Sequence, residues 1–220
     1  MSADSLVFRT RPAVAEPEGA LVVCHGRGAD EHDLEPLLDA LDPERRLVGF
    51  LPRGPLSLPP GGAHWYVVRE VGFPDPETFL PTFERLSGWV DSVCADAGVP
   101  VERVVFAGFS QGAVMSYSLA LAVSRPRPAG VLAFSGFVPR VEGFELDLAG
   151  RAGLPVSIAH GTYDPIISVS FGREARELLE GAGLDVSYAE EPMPHTIGPA
   201  GLAQARVVLE RALGLGDRRD

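Results

Sequence analysis

Apolar positions along this 220-residue chain fall into two patterns, and the two alternate. The first is a short continuous run, as in Leu21-Val22-Val23-Cys24 and Val104-Val105-Phe106-Ala107. Runs of this kind suit strands of a parallel sheet covered on both faces. They predict strands at roughly 5–9, 20–24, 47–51, 103–108, 130–135, 155–160 and 185–189. The second pattern has helical spacing and predicts helices at roughly 32–41, 76–97, 111–123, 169–181 and 199–213. Strands alternating with helices imply an open, doubly wound α/β domain. No internal repeat or dividing linker interrupts the pattern, so residues 1–220 are expected to form one domain. Pro52 to Pro60, with Gly61 and Gly62 after it, reads as a long surface loop between strands of one sheet. The charged tail from Gly214 to Asp220 is expected to fray.

Composition narrows the classes. No apolar run approaches the roughly 20 residues that span a bilayer, so no integral membrane association is expected. Met1 to Ser5 lacks the basic and apolar regions of a secretory signal. Two cysteines, Cys24 in a strand and Cys94 in a helix, read as reduced thiols, which points to a cytoplasmic location. The formal net charge of −11 repels nucleic acid and anionic lipid, which excludes both as expected partners. All 19 basic residues are arginine, so lysine Schiff-base chemistry is excluded, and the absence of asparagine excludes N-glycosylation.

The candidate chemistry begins at Gly108-Phe109-Ser110-Gln111-Gly112, between a predicted strand and a predicted helix. Strand, Gly-x-Ser-x-Gly and helix together form the nucleophile elbow of α/β-hydrolases, in which the glycines let the chain turn sharply and lift the serine clear of the sheet. The pentapeptide alone carries little weight, since shuffling a chain this rich in glycine would produce one roughly once in six tries. The rest of the chain supplies the context. A serine nucleophile needs a base, and the base needs an acid to orient it, in the chain order Ser, Asp or Glu, His. Asp164 follows the strand ending near residue 160, in the turn Gly161-Thr162-Tyr163-Asp164-Pro165, and is the candidate acid. Glu190 and Glu191 are rivals on the connection that carries the base. His195, after the last strand and before the last helix, is the candidate base. An oxyanion needs two N–H donors. One is expected from Gln111 at the helix N-terminus and the other from Arg27, in the glycine-rich loop His25-Gly26-Arg27-Gly28 after an early strand.

Trp65, Tyr66 and Phe73, in the long loop, and Phe137 are candidate walls of a substrate site, although loop aromatics can equally pack into a small core of their own. Asp30, His32 and Asp33 cluster, but Asp30 reads as a helix N-cap and no metal is expected. His25 and His160 each precede a glycine at a strand end and read as structural hydrogen-bonding residues. The connection from Phe134 to Pro155 is long without the pattern of a helical lid, so an open groove is expected.

Taken together, His25-Gly26-Arg27-Gly28, the elbow, Ser135-Gly136-Phe137, His160-Gly161 with Asp164-Pro165, and His195 resemble the phospholipase/carboxylesterase family, which includes the acyl-protein thioesterases. The resemblance runs from about residue 18 to 213. It implies an α/β-hydrolase fold without a large cap domain, and hydrolysis of small-molecule carboxylic esters or thioesters without a cofactor. It maps nucleophile, acid and base to Ser110, Asp164 and His195, and the oxyanion donors to the N–H groups of Arg27 and Gln111. It also admits a homodimer. Two positions depart from the family pattern: Val67 stands where an aspartate is usual, and Pro194 where a glycine is more usual. Acyl transfer to an acceptor other than water, or a binding protein on the same fold, are the alternatives.

Overall fold

Strict alternation of side chains across buried strands builds two core layers from one sheet. A computed structural model describes residues 6–216. In the strand Ala20–Cys24 (β2), Ala20, Val22 and Cys24 face one layer while Leu21 and Val23 face the other. The same division runs through Val48–Pro52 (β3), Val104–Phe109 (β8), Gly130–Phe134 (β9) and Pro155–Gly161 (β10). With Phe8–Arg11 (β1) and Asp185–Glu191 (β11), these strands form a seven-stranded sheet in the order β1-β3-β2-β8-β9-β10-β11. Every pairing is parallel except the edge pair β1–β3. The first strand therefore begins later than the pattern over 5–9 suggests. Its charged edge face, Arg9 and Arg11, carries little hydrophobic signal, and buried Arg11 pairs with buried Asp42.

One layer is covered by Pro76–Asp96 (α2), Gln111–Leu121 (α3) and Val169–Gly181 (α4). The other is covered by Glu35–Leu41 (α1) and Pro199–Leu213 (α5). Every residue of α3 is buried, and its two serines satisfy their hydroxyls on the helix carbonyls of Gly112 and Val114. The helix expected from residue 32 starts only at Glu35. Pro36 sits in its first turn, where its missing N–H costs nothing, and residues 31–34 form a separate turn. Asp30 is accordingly not the helix N-cap: its carboxylate accepts the His32 N–H of that turn at 2.9 Å, and Leu34 occupies the cap position.

The loop after β3 folds into two ribbons, Leu56–Leu58 (β4) with Gly62–His64 (β5), and Val68–Glu70 (β6) with Phe73–Pro74 (β7). Within residues 135–154 the only helix is a single three-residue turn, Ala149–Arg151, so no helical lid is present there. Residues 1–5 and 217–220, which include the N-terminal segment and most of the charged tail, lie outside the described residues. No helix of the described residues is long and apolar enough to cross a membrane.

The strand order places the site. From β2 the chain moves outward to β3, then returns to β8 on the opposite side of β2. Connections diverge at such a switch point and leave a crevice beyond the carboxyl ends of the two strands. Here the crevice lies after Cys24 and Phe109, which end paired strands.

Candidate active site

Between the end of β8 at Phe109 and the start of α3 at Gln111, Ser110 alone makes the turn. Its backbone has φ 57° and ψ −121°, a conformation that costs an L-residue energy and survives only where its surroundings enforce it. The flanking glycines provide that enforcement by close approach. A Cβ on Gly108 would lie 2.3 Å from the carbonyl group of Gly112, and one on Gly112 would lie 1.9 Å from the carbonyl oxygen of Cys24. The Ser110 N–H donates to Phe134 O at 2.9 Å, which ties the turn to β9. Ser135, at the end of β9, repeats the device with φ 49° and an N–H donated to Ala159 O at 2.8 Å.

The structure brings Asp164 and His195 together, 31 residues apart in sequence, with His195 Nδ1 at 2.6 Å from Asp164 Oδ2. The other carboxylate oxygen of Asp164 accepts the N–H groups of Ile166 at 2.8 Å and Ile167 at 2.9 Å. Burial works against ionisation of Asp164. The hydrogen bonds from His195, Ile167 and Ile166 outweigh it and hold the carboxyl below its ordinary range. An ionised carboxylate can only accept, so Nδ1 of His195 carries a proton in this contact. The imidazole packs against the ring of Phe109, the residue before Ser110, with centroids 4.6 Å apart. Pro194 fits the turn before it: the Thr196 N–H donates to Pro194 O, and that carbonyl would lie 2.4 Å from a Cβ on Gly161.

The rival carboxylates are engaged elsewhere. Glu190 is paired with Arg173 and accepts the Tyr188 hydroxyl at 2.6 Å; the Arg173 guanidinium holds it down to about 2. Glu191 accepts the N–H groups of Ala200 and Gly201 in the first turn of α5.

The loop 25–28 lies against the elbow. A Cβ on Gly26 would sit 3.5 Å from that of Ser110. Gly28 has φ +88°, and β5 fastens the loop from outside: the Gly28 N–H donates to Ala63 O and the Ala63 N–H to Ala29 O, both at 2.8 Å. His25 ties it from beneath, with Nδ1 at 2.7 Å from Gly26 O and Nε2 accepting the Gly54 N–H. The Arg27 N–H donates to no backbone carbonyl among the described residues. The N–H of Gln111 sits in the first turn of α3, where the helix supplies no acceptor. His160 plays for the acid turn the part that His25 plays for this loop. Its Nε2 lies 2.8 Å from Ile167 O, and burial lowers its pKa, so the ring is neutral and Nε2 donates.

A cavity of about 340 Å³ opens at Ser110. Tyr66, Val68, Val71, Phe137, Ile166 and Ile167 form its apolar walls, and Arg27, Glu70 and Gln111 complete the lining. Tyr66 and Phe137 thus stand where the sequence suggested. Trp65 does not reach the cavity: it is fully buried, packs at a tilt against the His25 ring and donates its indole N–H to His25 O at 2.8 Å. Phe73 is also displaced from it, lining a neighbouring small depression with Phe137 and Phe171. Both corrections have one cause. A loop aromatic signals burial of area, and only the path of the loop decides which surface is buried.

The Gln111 side chain had no role in the sequence reading. Its Oε1 accepts the Trp65 N–H at 3.0 Å and its Nε2 donates to Tyr66 O at 2.9 Å. The residue after Ser110 thereby clamps the cavity wall to the elbow. Val67, at the departure from the family pattern, is partly exposed and donates its N–H to Thr78 Oγ1. The acid of that neighbourhood comes from Asp75, which pairs with Arg69 and accepts the Thr78 hydroxyl.

A strained serine at the crevice, next in sequence to the Phe109 ring that packs on His195, and an ionised Asp164 bonded to that histidine suit acyl transfer, and the relatives of the chain agree. The phospholipase/carboxylesterase family model matches residues 8–212. The chain belongs to that family. A curated relative, acyl-protein thioesterase 1 of Debaryomyces hansenii, is 29% identical over 157 residues, covering 68% of this chain and 67% of that protein. The putative hydrolase MhqD of Bacillus subtilis is 28% identical over 196 residues, covering 89% and 94%. The Bacillus cereus carboxylesterase structure superposes with a TM-score of 0.82 at 26% identity, covering 96% of each chain. As a member of this family the chain is a serine-type hydrolase of the carboxylesterase and thioesterase class, on the α/β-hydrolase fold without a large cap.

Proposed function

We propose that Ser110, Asp164 and His195 form the catalytic triad of a carboxylic ester hydrolase, carried by one domain, with the N–H groups of Arg27 and Gln111 as its oxyanion hole. The observation that carries this reading is the 2.6 Å contact between Asp164 Oδ2 and His195 Nδ1, which supports Nδ1 as the donor to the carboxylate and Nε2 as the nitrogen that acts on Ser110. In this mechanism Nε2 takes the Ser110 proton as Oγ attacks the acyl carbon. The oxyanion that forms is held by the two N–H groups. His195 returns the proton to the leaving alcohol as the C–O bond breaks, and water repeats the cycle on the acyl-enzyme. The acyl or alcohol chain of a small-molecule ester suits the apolar walls at Tyr66, Phe137 and Ile167.

Ser110→Ala is expected to lower turnover of p-nitrophenyl butyrate by at least about 10⁴-fold with the circular-dichroism spectrum unchanged. A fluorophosphonate should label Ser110 in the unaltered protein. Wild-type turnover in Ser110→Ala, or labelling at another peptide, overturns the assignment. Thioester cleavage is the second reading, favoured by relatives named as acyl-protein thioesterases. A p-nitrophenyl ester series from C2 to C16 with matched thioesters separates the two. A cytoplasmic setting is supported by Cys24 and Cys94, both unpaired and buried, their thiols pushed up by burial to about 12 and about 11.

A further inference from the structure

The arginines of this chain are heavily committed. Arg53 pairs with Glu31, Arg125 with Asp91 and Arg173 with Glu190. Arg11 pairs with Asp42, and Arg151 donates to three backbone carbonyls. Arg27 is different. It is exposed, lines the cavity at Ser110, and its guanidinium has neither an ion pair nor a hydrogen bond among the described residues. In a chain of net charge −11, this leaves an uncompensated cation on the wall of an otherwise mostly apolar cavity.

Its position is also constrained. The backbone on the C-terminal side of Arg27 is pinned by the Gly28–Ala63 and Ala63–Ala29 hydrogen bonds, and Gly26 on the other side lies against Ser110. The guanidinium therefore works from a fixed anchor beside the reacting serine. Glu70, the cavity's one carboxylate, sits instead on β6, an exposed strand paired only with the two-residue β7.

We propose that the Arg27 side chain selects esters bearing a carboxylate group, by a charge-assisted hydrogen bond made within the cavity while the scissile carbonyl lies at Ser110. This deepens the esterase reading and rests on it. The guanidinium fork matches a carboxylate bidentately, and the apolar walls beside it take the rest of the ester. The carboxylate can lie on the acyl part or on the alcohol part, since both flank the serine during attack.

The test compares kcat/KM for each anionic ester with that for its methyl-capped neutral twin, so that the neutral twin serves as reference within each variant. One arm uses the p-nitrophenyl hemiester of adipate, with the charge on the acyl side. The other uses 4-acetoxybenzoate, with the charge on the leaving group. Arg27→Gln is expected to lower the anionic-to-neutral ratio about tenfold in the arm that carries the contact. In the unaltered protein that ratio should fall as salt rises to about 0.3 M. A fall in the first arm assigns the carboxylate to the acyl part, and a fall in the second assigns it to the alcohol. Ratios unmoved by Arg27→Gln in both arms overturn the proposal. If the variant loses all turnover, salt-insensitive ratios in the unaltered protein overturn it instead. Activity persisting in Ser110→Ala would overturn Ser110 as the nucleophile, and no turnover of any ester by the unaltered protein would defeat the esterase reading; both are separate results.

Discussion

The elbow at Ser110 and the ribbon formed by β6 and β7 border the same cavity and are built in opposite ways. At the elbow every atom is crowded. Ser110 is 7% exposed, Gly108 and Gly112 two residues to either side have no room for a Cβ, and its N–H is bonded into the sheet. In the ribbon, all of β6 is exposed, its register with β7 is irregular, and Val68, Val71 and Phe73 stand open to solvent. Groups that must hold a reacting geometry are set in packed, over-determined backbone. Groups that only border the substrate sit where change is cheap.

Asp164→Asn tests whether the acid turn belongs with the elbow. We expect kcat for p-nitrophenyl esters to fall about 10⁴-fold while the fold persists, because the amide favours the wrong tautomer of His195. The same variant has a pH signature. The Asp164 carboxyl is held below its ordinary value in the fold, so it contributes stability above its unfolded pKa of about 3.9, lost as pH falls through the folded value. Thermal melts at neutral and acid pH should therefore differ less in Asp164→Asn than in the unaltered protein. An equal difference would show that the carboxylate is not held as described.

Gly112→Ala asks whether the elbow is as crowded as its contacts imply. The new methyl would meet the Cys24 carbonyl at 1.9 Å, so backbone must move. A loss of about 3 kcal/mol is expected, which calorimetry should read as a melting temperature lower by about 6–12 °C, with turnover falling as well. A variant with unchanged melting and activity would erase the contrast between the two regions.

Phe73→Ala is the smallest and the complementary test. The side chain is 49% exposed, and its loss should cost under about 0.5 kcal/mol. Any kinetic effect should be a few-fold shift in preference along the ester series. A large loss of stability or of turnover on all esters would place the ribbon with the elbow.

Much of the site was legible along the chain because its signals are local. Gly108 and Gly112 announce a turn that only glycine permits, and Asp164 and His195 each follow a strand with a recognisable apolar run. Less was legible where one residue answers to a distant one. Nothing near Gln111 in sequence indicates that its side chain holds Trp65 and Tyr66, some 45 residues away. Asp30 had the look of a helix cap, but Pro36 moved the helix start beyond its reach. The edge strand β1 was misplaced because an edge buries one face and tolerates arginines.

The alternation of apolar runs, the order of serine, aspartate and histidine, and the glycines that bend the chain are properties of sequence. They determined the sheet, the position of each candidate group at a strand's carboxyl end, and the class of chemistry, because backbone sterics and hydrophobic burial act over a few residues. Tertiary structure decided what depends on the meeting of separate segments. It joined Asp164 rather than Glu190 or Glu191 to His195, buried Trp65 while leaving Tyr66 on the cavity, and left the guanidinium of Arg27 without a counterion among the described residues. Hydrogen bonds and charges are satisfied by whichever groups the fold brings within reach, and that selection is made only when the chain has closed on itself.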